Sequence, residues 1–178
     1  MSISVDIYQF TLRVREGDGE RIEVTITSSG KIEILKREAS FNTYPECLAK
    51  GTLIDTPSGP VPVEQLYKGM TAWTTDKSGK RIVAVVVETT AIPVPAYFQI
   101  INLTLTDGRS ITASATHPTT EGLVLGDYQV GDAIDGTIVE RVEYLLYDNG
   151  KTYDILPSGE TGLYWANGIL LKSTLPTN

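Results

Sequence analysis

Hydrophobic positions along this chain alternate with polar ones, or fall in short runs closed by Gly, Pro, Asn and Asp. A period of two is what a strand with one buried face requires, whereas the helical spacing of three and four is nearly absent. The first segment, "ISVDIYQFTLRV", alternates but changes phase near Ile7–Tyr8, as a bulge would require. "EGDGE" predicts a turn, "RIEVTITS" a second strand, "SG" a tight connection and "KIEILKRE" a third strand. Residues 1–38 therefore predict a three-stranded antiparallel meander, which needs something to pack on. "ASFNTYPE" breaks the pattern, and Pro45 drives Tyr44 towards an extended conformation.

After Cys47 the strands resume as "GTLIDT", "VPV", "MTAWTT", "KRIVAVVVETT", "YFQIINLTLTD", "RSITAS", "AIDGTIVERVEYLLYD", "KTYDILP" and "GLYWANGILLK". "PSGP", "DKSGK", "TDGR" and "DNGK" supply turns between them. Only "VEQLYK" and "LVLGDYQ" suggest a helical turn. The expected fold is all-β, with long, twisted antiparallel hairpins. One faint echo runs through it: "QLYKGM" at Gln65–Met70 resembles "DYQVGD" at Asp127–Asp132, each leading into a strand.

Length changes this picture little: 178 residues suffice for one good-sized domain and a small appendage. Charge narrows the partners. At a formal −7 the chain has no excess of cations to neutralise phosphates, so no nucleic-acid partner is expected. No basic segment followed by an apolar run opens the sequence, and no apolar stretch reaches membrane-spanning length. A soluble, cytoplasmic chain with no membrane partner is the expectation. One cysteine cannot form an internal disulfide. With a single histidine as well, a closed zinc site would need carboxylates for its remaining ligands, so neither metal nor cofactor is expected.

Three places could carry chemistry. Cys47 follows a proline-bearing linker; "SATHP", Ser114–Pro118, holds the only histidine; and Asp154 interrupts the apolar strand "TYDIL". Each has a plain structural reading: a buried thiol acting as a small hydrophobe, a solvated imidazole, a carboxylate at a strand end. Composition and spacing stop at a candidate Cys/His/Asp constellation.

From Cys47 onward the order of motifs resembles a Hint domain, the module shared by inteins, bacterial intein-like proteins and the autoprocessing half of hedgehog proteins. "CLAKGTLIDTPSGPVPVEQLYKGM" has the form of that family's opening, with a nucleophilic cysteine first. "LTDGRSITASATHP" resembles its second motif, with Ser114 at the usual threonine and His117 at the histidine. "TYDILPSGETGLYWANGILLKST" resembles its closing region, through Tyr153-Asp154-Ile155 and Ala166-Asn167-Gly168. The resemblance spans about residues 47–174. It implies a horseshoe of long twisted strands with pseudo-two-fold symmetry, residues 1–46 as flanking segment and 175–178 as a tail.

The same resemblance implies a reaction. Cys47 would attack the carbonyl of Glu46 and exchange the peptide bond for a thioester. His117 would protonate the departing nitrogen, the Ser114 hydroxyl would bond and distort the scissile peptide, and Asp154 would act as base or relay. The substrate would be the chain's own N-terminal segment; water, a thiol or an amine would be the acceptor. A splicing intein ends in His-Asn, where this sequence has Lys172 and Ser173. Serine carries no carboxamide to cyclise, so C-terminal cleavage and full splicing are not expected, although Thr174 stands at the downstream nucleophile's place. No sterol acceptor is expected. Two further readings stay open: an inactive Hint fold kept as a structural or interaction module, and a trans-acting cysteine hydrolase.

Overall fold

The computed structural model describes residues 7–14, 17–42, 46–95 and 98–177. It divides into two compact units, Met1–Tyr44 and Pro45–Asn178.

The first unit is the expected meander, made of β1 (Ile7–Val14), β2 (Gly17–Thr27) and β3 (Ile32–Asn42) in the order β1-β2-β3. Phe10 and Leu12 lie opposite Val24 and Ile22, so one face is apolar. Two expectations shift. Gly17–Gly19 belong to β2 rather than to a turn, and they pair with Ser40–Asn42, which extends β3 past Glu38. The ladder is made by backbone groups, on which the side-chain pattern is silent. The bulge falls in β3, where Leu35 is the extra residue between Ile34 and Lys36, while β1 pairs without a shift from Ile7 onward. No bulge therefore stands at Ile7–Tyr8, and residues 1–6 lie outside the described residues.

The second unit holds β4 (Leu53–Ile54), β5 (Val61–Pro62), β6 (Thr71–Thr75), β7 (Arg81–Pro93), β8 (Gln99–Leu105) and β9 (Ser110–Ala113). It continues with β10 (Ala133–Ile134), β11 (Thr137–Leu146), β12 (Lys151–Pro157), β13 (Leu163–Ala166) and β14 (Ile169–Lys172). These form sheets ordered β10-β11-β8-β9, β12-β7-β6 and β14-β13-β4-β5. Two runs expected as single strands are hairpins. Asp135-Gly136 and Asn167-Gly168 have φ of 46°, 77°, 50° and 75°, the doubly left-handed turn that Asp-Gly and Asn-Gly favour. Each helical turn shrinks to one 3₁₀ turn, Val63–Gln65 and Leu125–Asp127.

The faint echo in the sequence is a repeat in the backbone. After each 3₁₀ turn a glycine takes positive φ, 101° at Gly69 and 98° at Gly131. The Gly69 N–H donates to Val86 O and the Val86 N–H to Met70 O; Gly131, Val139 and Asp132 repeat both bonds. β7 and β11 each carry a bulge just beyond, at Val87 and Glu140. The correspondence reaches further back, for the turn closed by Thr52 N–H on Ala49 O matches that closed by His117 N–H on Ser114 O. In the one half Val63 N–H then donates to Thr52 O; in the other Leu125 N–H donates to His117 O. In the half opposite Cys47, the Asn102 amide donates to the Thr112 hydroxyl at 2.7 Å.

Ile54, Ile101, Leu103, Leu105, Ile111, Leu125, Val139, Ile155, Ile169 and Leu171 fill the core with no exposed surface. Leu48, equally buried, forms bridges to both Ala113 and Tyr153 and so joins the two halves. A Cβ on Gly69 or Gly131 would meet nothing within 4 Å, so alanine there carries only the backbone penalty. Gly69→Ala and Gly131→Ala are each expected to destabilise the second unit by about 1–2 kcal/mol, and by similar amounts, in urea titrations.

Candidate functional site

The site is built where the chain enters the second unit. Leu48 N–H donates to Tyr153 O at 2.7 Å and Leu48 O accepts from Tyr153 N–H at 2.9 Å. On the other flank Ala49 N–H donates to Thr112 O at 3.0 Å and Ser114 N–H to Cys47 O at 2.9 Å. The three residues from Cys47 to Ala49 are thus a strand fragment paired on both edges. This pairing fixes the direction of the Cys47 side chain, which is 1% exposed.

Around that thiol lie Asp154 of β12 and the hydroxyls of Thr152 and Thr174. Burial, with the negative charge of Asp154, pushes the Cys47 thiol up to about 12; Thr152, the Glu46 backbone and Thr174 act the other way by hydrogen bonding. Among the described residues the buried Thr152 hydroxyl has no hydrogen-bond partner of normal length, although it bears on the thiol. At pH 7 the thiol is protonated.

Asp154 is the polar hub. Its Oδ1 accepts from Ile155 N–H at 2.7 Å and from the Tyr164 phenol at 2.5 Å. Its Oδ2 accepts from Thr174 N–H at 2.7 Å, Thr174 Oγ1 at 2.6 Å and, more weakly, Ser173 Oγ at 3.5 Å. A carboxylate with 1% exposure and no cation bonded to it among the described residues survives only because these donors replace its water. The Leu175 N–H bonds Ser173 Oγ at 3.0 Å and seats the C-terminal residues there.

His117 is fully buried. Nε2 lies 3.2 Å from the Tyr164 hydroxyl oxygen, and Nδ1 has no hydrogen-bond partner among the described residues. Burial holds the imidazole below its ordinary value although Asp154 pulls the other way, so the ring is neutral near pH 7. The Tyr164 phenol is pushed well above the usual tyrosine range by burial and by Asp154.

The structure therefore gathers Cys47, Ser114, His117, Asp154, Ser173 and Thr174, with half-buried Glu46 adjoining through the chain. Lys172 does not join them. β14 alternates, so Leu171 and Ser173 point inward while Lys172 is exposed. Ser114 differs from expectation: its hydroxyl donates to the carbonyl of Cys47 itself at 3.1 Å, beside the Ser114 N–H. Antiparallel pairing sets that carbonyl opposite Ser114, and both donors converge on the same oxygen.

Two participants escaped the sequence reading. Tyr164 and Thr152 lie on inward faces of "LYWA" and "KTYDILP", where a hydroxyl among apolar neighbours is the available signal. A third element is structural. Arg109, at the β8–β9 turn, bonds Asp107, both the carboxylate and the carbonyl of Asp135, and Gly168 O. The Asn167 side chain accepts from Leu53 N–H and donates to Ser110 O, so these turns are tied together. No group of three or more His, Cys, Asp or Glu among the described residues could hold a metal. Among the described residues no helix is long and apolar enough to cross a membrane.

Two measurements follow from these protonation states. Iodoacetamide should alkylate Cys47 in the folded chain about a thousandfold more slowly than in urea, beyond any steric block, because so little thiolate is present. On the acid side, a histidine whose folded value is depressed favours the native state above its unfolded value of about 6.5 and loses that advantage as pH falls. Stability should drop below pH 6.5 with a component near 1.4 kcal/mol per unit that His117→Gln removes.

Residues 46–117 match the family model described as the Hint domain. The bacterial intein-like domain from Clostridium thermocellum superposes with a TM-score of 0.62 at 24% identity, over 71% of this chain and 97% of that one. The gp41-1 intein does so with a TM-score of 0.57 at 24% identity, over 71% and 97%. A DnaB intein from Synechocystis gives 0.61 at 18%, over 72% and 99%. No curated protein sequence matches.

Proposed function

We propose that this chain, which carries a Hint domain of intein-like fold from Glu46 onward, is a single-turnover autoprocessing protein that acts on its own Glu46–Cys47 bond. The observation that carries the reading is the setting of Cys47. Its backbone is clamped on both edges at the point of entry, and its sulfur is enclosed with Asp154, Thr152 and Thr174.

In the proposed step Sγ adds to the Glu46 carbonyl carbon, the C–N bond breaks, and the thiol proton ends on the Cys47 nitrogen. A thioester and a free amine result. With the thiol at about 12, roughly one molecule in 100,000 is ionised at pH 7, so the proton must leave as the bond forms. His117, neutral with a bare Nδ1, and the Asp154 carboxylate are the bases at hand. Amide resonance still opposes the attack; holding the Cys47 carbonyl with two Ser114 donors keeps the nucleophile's own residue from turning away.

The thioester would then pass to water, a thiol or an amine, releasing residues 1–46. Thr174 offers a fourth acceptor. Its hydroxyl bonds Asp154 at 2.6 Å and reaches the sulfur, so it could take the acyl group as an ester. Ser173 cannot cyclise, so such an ester would persist rather than resolve into spliced chains.

Incubation of the full chain with dithiothreitol or hydroxylamine should release a fragment of residues 1–46 and one of 47–178, read by intact mass, and Cys47→Ala should abolish both. Above pH 7, where His117 is neutral, the rate of the acyl shift should change little with pH, because the proton passes to an internal base as the bond forms. An intact chain under every condition, indistinguishable from Cys47→Ala, would overturn the reading. It would favour the inactive structural module, to which the suppressed thiol already lends weight. Paired replacement of Lys172→His and Ser173→Asn is expected to add cleavage before Thr174, which neither change should give alone.

A further inference from the structure

We propose that Tyr164 is a positioning residue that locks His117 as its Nε2–H tautomer and so leaves Nδ1 bare for proton transfer at the Glu46–Cys47 junction. The tautomer part stands on hydrogen-bond geometry; its use in the reaction rests on the function proposed above.

The assignment follows from counting donors. The N–H groups of Ile155 and Thr174 can only donate, and one points at each oxygen of Asp154. Asp154 must therefore accept, with little lone-pair capacity left for a proton of its own. Tyr164 owns one hydroxyl hydrogen, and the 2.5 Å contact to Asp154 Oδ1 takes it. Its oxygen can then only accept, so the partner 3.2 Å away, His117 Nε2, must carry a hydrogen. A neutral imidazole has one N–H. Nδ1 is left with its lone pair, buried and without a partner among the described residues.

An unpartnered ring nitrogen in the core is an expensive arrangement. It makes sense where a partner arrives during the reaction. When Nδ1 takes up a proton, the positive ring is bonded through Tyr164 to the Asp154 carboxylate; when Nδ1 gives it up, the same link restores the starting tautomer. Tyr164 on β13 and Asp154 on β12 are the titratable groups that bear on the ring, and Cys47 bears on Tyr164 in turn. Phenylalanine would fill the same volume. Only the hydroxyl makes the link.

Because the chain has one histidine, its two imidazole ¹⁵N signals can be assigned without ambiguity. In the ¹⁵N-labelled full chain above pH 7, Nε2 should give a pyrrole-type signal and Nδ1 a pyridine-type one. Tyr164→Phe should yield a mixture of tautomers and slow hydroxylamine-trapped cleavage roughly tenfold, the scale of one charge-linked hydrogen bond. A bare Nε2 in the unmodified chain, or an unchanged tautomer in the folded variant, would overturn the proposal. Should the variant not fold, the unmodified spectrum alone decides. Where the tautomer is as stated but no cleavage occurs, the assignment of Tyr164 stands and the autoprocessing reading falls.

Discussion

The strand fragment Cys47–Ala49 is the constraint on which the rest depends. Backbone bonds to Tyr153 on one side and to Thr112 and Ser114 on the other make it common to both halves of the unit. That double pairing sets Cys47, the Ser114–His117 turn and the Asp154 strand at fixed distances before any side chain contributes. Leu48, fully buried at its centre, couples this alignment to the core, so the site cannot loosen without cost to the fold.

Electrostatically the site is spare. A neutral thiol, a neutral imidazole and a neutral phenol surround one carboxylate, whose charge is met by backbone and hydroxyl hydrogens rather than by a cation. The same carboxylate and the same burial that suppress the thiol also supply the acceptor needed once its proton moves. At neutral pH the thiol is thereby kept from standing as a free thiolate.

Much of the architecture was legible because it is written in side-chain alternation and turn chemistry. Most strands of the second unit and the ordered Cys47, His117 and Asp154 motifs were visible in residues alone, whereas the Asp135-Gly136 and Asn167-Gly168 turns were read through as strand. What stayed hidden was carried by the backbone or by ambiguous side chains. Gly17–Gly19 entered β2 through main-chain pairing, and the Ser114 hydroxyl found the carbonyl of Cys47 rather than the preceding one. Tyr164 reads as one more apolar strand residue until its oxygen is seen between His117 and Asp154. The weak likeness of Gln65–Met70 to Asp127–Asp132 carried real information, because glycine at the left-handed position is what the repeated turn demands.

That repeat has an implication for how the site is divided between the halves. The two halves share turn and hydrogen-bond scheme, yet Thr52 occupies the place of His117, and Asn102 beside Thr112 that of Asp154 beside Cys47. Neither lobe carries the whole set: Cys47 and Asp154 stand in one and His117 in the other. Both keep one backbone geometry, and the groups of the site come from each across the shared strand fragment. Scaffold and chemistry are thus divided differently in this molecule, the one repeated and the other assembled only where the repeats meet.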